Sequence, residues 1–115
     1  MSSRVFVTQE VTTANYTDLD RWGEPTFLTA SEVSNVRTSV HNRKLVHVIR
    51  SKLETFDPER DYIAPSGSPI VTGIVFAVLA AQGVRKFPVL KWNNRDRIYT
   101  LVLVEIDTTE VEDVI

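Results

Sequence analysis

The chain opens on a partly alternating, β-branched run, Arg4 to Val11 (RVFVTQEV), and a first strand is expected there. The polar stretch that follows, TTANYTDLDRWGEP, carries turn chemistry at Asp18, Asp20, Gly23 and Pro25 and predicts a loop, with Trp22 anchoring it on the core. PTFLTA (Pro25–Ala30) reads as a short second strand, and SEVSNVRTS shows no period. From Ser39 the period lengthens. Leu45, Val48, Ile49, Leu53 and Phe56 fall on one helical face, while Arg43, His47, Arg50 and Glu54 share the other. Pro58 ends this first helix, because the residue before a proline is pushed out of helical geometry.

DYIAPSG is the expected third strand and its exit. Ser68 then supplies a side-chain cap and Pro69 a first helical position at which no amide hydrogen is missed. Gly83 is the matching stop, and the helix between them has no polar stripe. FPVLKW (Phe87–Trp92), NNRD and RIYTLVLVEI (Arg97–Ile106) read as a hairpin with a short loop. The predicted class is therefore α/β: a small Rossmann-like sheet in the order β-β-α-β-α-β-β, ending in an antiparallel hairpin, with the spatial strand order left open. Residues 1–107 form one domain in this reading, and residues 108–115 an acidic tail, frayed or bound to a partner.

Composition narrows the functional classes. At 115 residues there is room for one real core. A formal charge of -2 gives no electrostatic reason to expect duplex nucleic acid or an anionic membrane as the main partner. The absence of cysteine removes disulfides, thiolate metal sites and thiol nucleophiles. The N-terminus has no signal-peptide hydrophobic core, and the longest apolar run, Ile70–Ala81, is interrupted by Thr72 and Gly73 and too short for a bilayer. A soluble, cytoplasmic protein is expected.

The apolar helix carries an expectation of its own. Val71, Ile74, Val75, Val78 and Leu79 cannot, on this reading, all face one sheet, so a homo-oligomer through helix 69–82 is expected, with Gly73 and Ala77 allowing close approach. The plainer alternative is that the first helix and the N-terminal loop cover it.

A ligand in an open α/β sheet binds beyond the carboxyl ends of the parallel strands. The turn PSGSP lies at such a place, and Ser66, Gly67 and Ser68 at a helix start suit a phosphate or carboxylate. The fourth strand and its loop would add Lys91 and Arg95 for charge, Trp92 for stacking, and Asn93 and Asn94 for base edges; the first strand would add Thr8, Gln9 and Glu10. There is no Walker loop and no GxGxxG. The competing reading makes Ser68 a cap, Gly67 a turn residue and WNNRD a hairpin loop. No catalytic residue is assigned: His41 and His47 lie six apart as solvated or structural residues, Ser66 has no visible base, and PSGSP is not a nucleophile elbow. Asp57, Glu59, Arg60 and Asp61 read as a solvated charged turn, and Asp18, Asp20 and Glu24 follow no metal-loop pattern, so neither a metal nor a cofactor is expected.

Taken in order, VFVTQEV, WGEPTFLT, FDPERDYIAPSGSPI and VLKWNNRDRIYT resemble short accessory proteins carried by tailed bacteriophages, a group with no assigned activity, over Val5 to about Ile106. The resemblance implies a viral protein acting in a bacterial cytoplasm and brings no functional residue with it. Two readings follow. One is an oligomeric module that binds a small anion or nucleotide and sequesters a host signalling or defence nucleotide. The other is a non-enzymatic protein that binds a host or viral protein, with PSGSP purely structural.

Overall fold

The computed structural model describes residues 2–37 and 39–107, and the expected acidic tail at 108–115 lies outside them. Five strands, β1 (Arg4–Val7), β2 (Glu24–Phe27), β3 (Tyr62–Ala64), β4 (Lys86–Asn93) and β5 (Ile98–Glu105), form one sheet in the order β2-β1-β3-β4-β5. The first four are parallel, and β5 returns antiparallel to β4. Helix α1 (Val40–Lys52) links β2 to β3 and helix α2 (Pro69–Ala81) links β3 to β4. The α/β class, the element order and the C-terminal hairpin are those read from the sequence.

Crossover handedness explains the strand order. From β1 the chain steps one way, to β2; from β2 and again from β3 it steps the other way. Crossovers of one hand that run in opposite directions must lie on opposite faces. Both helices accordingly share one face, packing Leu45, Ile49, Leu53, Val71, Val75, Val78 and Leu79 on Phe6, Ile63 and Phe87. The β1–β2 connection covers the other face, where Leu19 closes over Val5, Val7, Ala64 and Leu90, and Trp22 packs beside them as expected.

The structure corrects several local expectations. The first strand ends at Val7, not Val11: beyond the Thr8 N–Ala64 O bond (3.1 Å) the pairing with the β3 exit passes to the Thr8 side chain, whose hydroxyl donates to Ser66 O (2.8 Å) and accepts from Ser66 N (2.8 Å). The loop before β2 contains a 3-10 turn, Thr17–Arg21. Val48 is exposed on the flank of α1, and the buried stripe there is Leu45, Ile49 and Leu53. Asp61 is not solvated. It is fully buried, accepting from Arg4 N (3.0 Å) and Asp57 N (2.9 Å) and pairing with Arg4 (3.3 Å) and Arg60 (3.6 Å). On α2, Val71, Val75, Val78 and Leu79 are buried and Ile74 is half-buried within the chain, because α1 lies alongside. Its outward face keeps Ile70, Gly73 and Ala77.

Candidate ligand site at the carboxyl end of the sheet

The chain reverses its direction of travel between β1 and β3, so their exits diverge: the segment after β1 crosses one face and the PSGSP turn after β3 enters α2 on the other. Such a divergence opens the crevice in which doubly wound sheets hold ligands.

Part of this crevice is filled by the protein itself. The Gln9 side chain is buried, donates to Ser31 O (2.9 Å) and accepts from Ser68 N (2.6 Å). A side chain on Gly67, whose φ is +78°, would run into the Gln9 carboxamide. The Ser68 hydroxyl caps α2 by accepting from Ile70 N (3.2 Å) and Val71 N (3.5 Å). The amides of Ser66, Ser68, Ile70 and Val71, which would otherwise face an anion at PSGSP, thus already have protein acceptors.

Beside this plug the crevice stays open as a cavity of about 360 Å³, lined by Thr13, Asn15, Tyr16, Ser66, Trp92, Asn94, Arg97 and Tyr99 with Ala14 and Pro65. Trp92 and Tyr99 pack across the hairpin as a tilted pair, ring centroids 4.9 Å apart and planes inclined by 58°. The Tyr16 hydroxyl hydrogen-bonds the Ser66 hydroxyl at 2.8 Å and accepts from Val11 N, also at 2.8 Å, which ties the loop to the β3 exit. Burial holds the Tyr99 phenol above its ordinary pKa, with Tyr16 and Asp18 adding to the shift, so it stays neutral at physiological pH. Arg97 is the charged residue in the lining, and among the described residues no carboxylate pairs with it. It closes the hairpin turn in a left-handed conformation, φ 57°, with its amide donating to Asn93 O at 2.7 Å.

Of the residues singled out in the sequence, Ser66 and Trp92 line this cavity, and so does Asn94. Gln9, Gly67 and Ser68 form the hydrogen-bonded plug next to it. Thr8 is buried against Ser66, and Glu10 is exposed. Lys91 is displaced: Leu90 and Trp92 face the cavity side, and strand alternation puts Lys91 on the other face. Asn93 organises the hairpin turn, accepting from Arg95 N (3.0 Å) and Asp96 N (3.1 Å), and Arg95 is exposed at the tip outside the lining. Sequence reading missed Arg97, Tyr16 and Tyr99. Tyr16 sits in a stretch without periodicity, and the left-handed turn that aims Arg97 rather than Arg95 leaves no mark in composition.

The His41 Nε2–H donates to Glu32 O at 2.7 Å on the exposed side of α1. Among the described residues no group of three or more His, Asp or Glu could hold a metal ion, and no helix is long and apolar enough to cross a membrane.

Comparison with known proteins supplies one finding. The family described as Phage Pam3 gp32-like protein matches residues 3–106. No curated protein and no solved structure matches the chain.

Proposed function

The chain belongs to the Phage Pam3 gp32-like family, and from that premise we propose that it is a non-enzymatic module that binds a small planar anion of the nucleotide class in the cavity at the carboxyl end of its sheet. The observation that carries this reading is the lining itself: Trp92, Tyr99 and Tyr16 for a ring, Asn94, Asn15 and Ser66 for its edges, and Arg97 for a phosphate. The volume, about 360 Å³, falls in the range of small-molecule sites. Its place beside the point of strand reversal is where open α/β sheets bind ligands. The charged contact is assigned to Arg97 rather than to Lys91 or Arg95, and PSGSP contributes Ser66 as wall rather than as anion cradle. On the family's phage context alone, the reading extends to sequestration of a host signalling or defence nucleotide.

The test is a thermal-shift and calorimetric screen with mono-, di- and cyclic nucleotides. A ligand at one hundred times its Kd adds about 2.7 kcal/mol, a rise of roughly 10 °C for a domain of this size. Arg97→Ala is expected to weaken binding at least about tenfold, equivalent to about 1.4 kcal/mol, while Arg95→Ala leaves it unchanged. Absence of any shift across the panel sinks the proposal and favours the second reading, an interaction protein. That reading has its own support in the exposed apolar strand β5.

A further inference from the structure

The two edges of the sheet are built differently. β2 is four residues long and carries Pro25, both devices that discourage edge-to-edge pairing. β5 is eight residues long, with no proline and no lysine. The strand, with Ile106 just past its end, is apolar on both faces: Ile98, Leu101, Val102, Leu103, Val104 and Ile106 are 37%, 42%, 41%, 54%, 42% and 45% exposed. Together they amount to on the order of several hundred Å² of contiguous apolar surface, which a monomeric protein rarely leaves open.

Alternation along β5 shows which main-chain groups face outward. Tyr99 N donates to Asp18 Oδ2 (2.6 Å) and Tyr99 O accepts from Arg21, so the groups of Tyr99 point away from β4. Ile106 N donates to Arg85 O, on the β4 side. With a period of two, Leu101, Leu103 and Glu105 also direct their N–H and C=O groups off the edge. Pro88 stands opposite Leu103, as that parity requires, since a proline has no N–H to offer β5. The Asp18–Arg21 pair (2.9 Å) acts as a side-chain clamp on the Tyr99 end of the edge, in place of a neighbouring strand.

We propose that two copies of this chain pair antiparallel along β5, about a two-fold axis at Leu103. The clamp selects this register. With Tyr99 occupied, Leu101, Leu103 and Glu105 are the outward residues left, and their symmetric antiparallel match sets Leu103 against Leu103 and Leu101 against Glu105, with about six main-chain hydrogen bonds. Centring the pair on Leu101 or Val102 would set Tyr99, whose N–H and C=O Asp18 and Arg21 already hold, opposite Leu103 or Glu105 and so leave only about two or four of those bonds. The same pairing sets Val102 against Val104 of the second copy on the helix face, where α2 leaves an apolar groove of about 560 Å³ whose lining includes Phe76, Phe87, Val104 and Ile106.

Charge favours a second copy over another apolar strand. The sequence beyond Ile106 is acidic, with Asp107, Glu110, Glu112 and Asp113, while the hairpin tip carries Arg95 and Arg97 against Asp96. Antiparallel self-pairing about Leu103 sets Asp107 of each chain opposite Tyr99 of the other, two residues from Arg97.

The chain has no cysteine, so one substitution reports the register. Sedimentation of the full chain is expected to give a dimer, twice the 13.0 kDa of the monomer. Leu103→Lys, which sets like charges across the axis at an exposed position, is expected to give a folded monomer by circular dichroism. Leu103→Cys is expected to cross-link as a disulfide dimer under mild oxidation, and Ile98→Cys to stay uncross-linked. The proposal is overturned if the wild-type chain is monomeric at about 100 μM, including the case in which deleting residues 108–115 then creates a dimer, because the chain's own tail would cover the edge. It is also overturned if the dimer survives Leu103→Lys, or is lost with Ile70→Lys on the outer face of α2, which would place the interface on the helix. A dimer whose Leu103→Cys variant does not cross-link rules out this axis.

Discussion

A glutamine side chain occupies the position at the start of α2 where an anion would meet backbone amides. Its binding to Ser68 N and its contact with Gly67 make residue 67 doubly demanding: φ is positive, and any Cβ meets the Gln9 carboxamide. Gly67→Ala is therefore expected to destabilise the fold by about 1–3 kcal/mol, read as a lower denaturation midpoint with unchanged slope. Asp61 is a second residue whose role exceeds its appearance in sequence. It gathers Arg4 N, Asp57 N and two guanidinium groups across 57 residues of chain, where a run such as FDPERD looks like a solvated turn. Asp61→Asn is expected to cost about 2 kcal/mol by denaturant titration, below the 3–5 kcal/mol of a wholly buried pair, since the Arg4 and Arg60 side chains remain about 30% exposed. Asp18 adds a pH dependence. The Tyr99 N–H, and after it the Arg21 guanidinium, hold its carboxyl below the ordinary value of 3.8. A carboxylate that binds its proton less tightly when folded stabilises the fold above its unfolded pKa, and that contribution is lost as pH falls through the lowered folded value. The stability gap between wild type and Asp18→Asn is accordingly expected to narrow when denaturation is followed from about pH 6 down to about pH 3. No narrowing would show that the clamp on β5 does not depend on charge.

At the scale of elements, both helices announce themselves. Ser39 accepts from Asn42 N (3.1 Å) and Ser68 from Ile70 N (3.2 Å), as their positions in the sequence suggest. Ser68→Ala is expected to lower stability by about 1 kcal/mol in the same titration, because two α2 amides lose their acceptor. The hairpin is also legible, since β-branched and aromatic runs flank a polar four-residue stretch. Strand ends and strand order are not. Thr8 looks like a strand residue until its hydroxyl is seen bonded to Ser66, and only three-dimensional pairing shows that β1 sits between β2 and β3. The candidate site divides along the same line. Ser66, Trp92 and Asn94 follow from the rule that ligands sit at carboxyl ends of strands. Arg97 follows from a turn conformation, and Tyr16 from a loop folded across 50 residues onto Ser66. The apolarity of α2 pointed to uncovered surface in this chain: the sheet and α1 bury Val71, Val75, Val78 and Leu79, Ile70 on the outer face of α2 stays exposed, and further exposed apolar surface lies on β5.

At the scale of the whole molecule, the proposed functions occupy separate regions of one sheet. The cavity lies at the carboxyl ends of β3 and β4, while the pairing edge runs along the far side of β5 from Leu101 to Glu105. They share the hairpin and meet only near Arg97, since Tyr99, which ends the free edge, is clamped by Asp18 and faces the cavity. Pairing along β5 would enclose the whole row of outward amides and bring the second copy's acidic end toward Arg97 alone of the ligand wall, and the edge can be read residue by residue through amide hydrogen exchange. In the wild-type chain at dimer concentrations, the amides of Leu101, Leu103 and Glu105 are expected to exchange slowly. In Leu103→Lys the amides of Leu101 and Glu105 should open to rates near those of loops, while Thr100, Val102 and Val104, directed at β4, stay protected in both proteins. The Tyr99 amide should stay protected in both as well, because its acceptor is Asp18 of its own chain. A nucleotide found in the screen should bind Leu103→Lys at least as tightly as wild type, since the monomer brings no second acidic end near Arg97. An alternating loss of protection along β5 with undiminished ligand affinity assigns edge and cavity to separate tasks. Loss of protection at Thr100, Val102 and Val104 together with the outward amides would mean instead that the hairpin unfolds when unpaired, and that the partner strand is part of the fold.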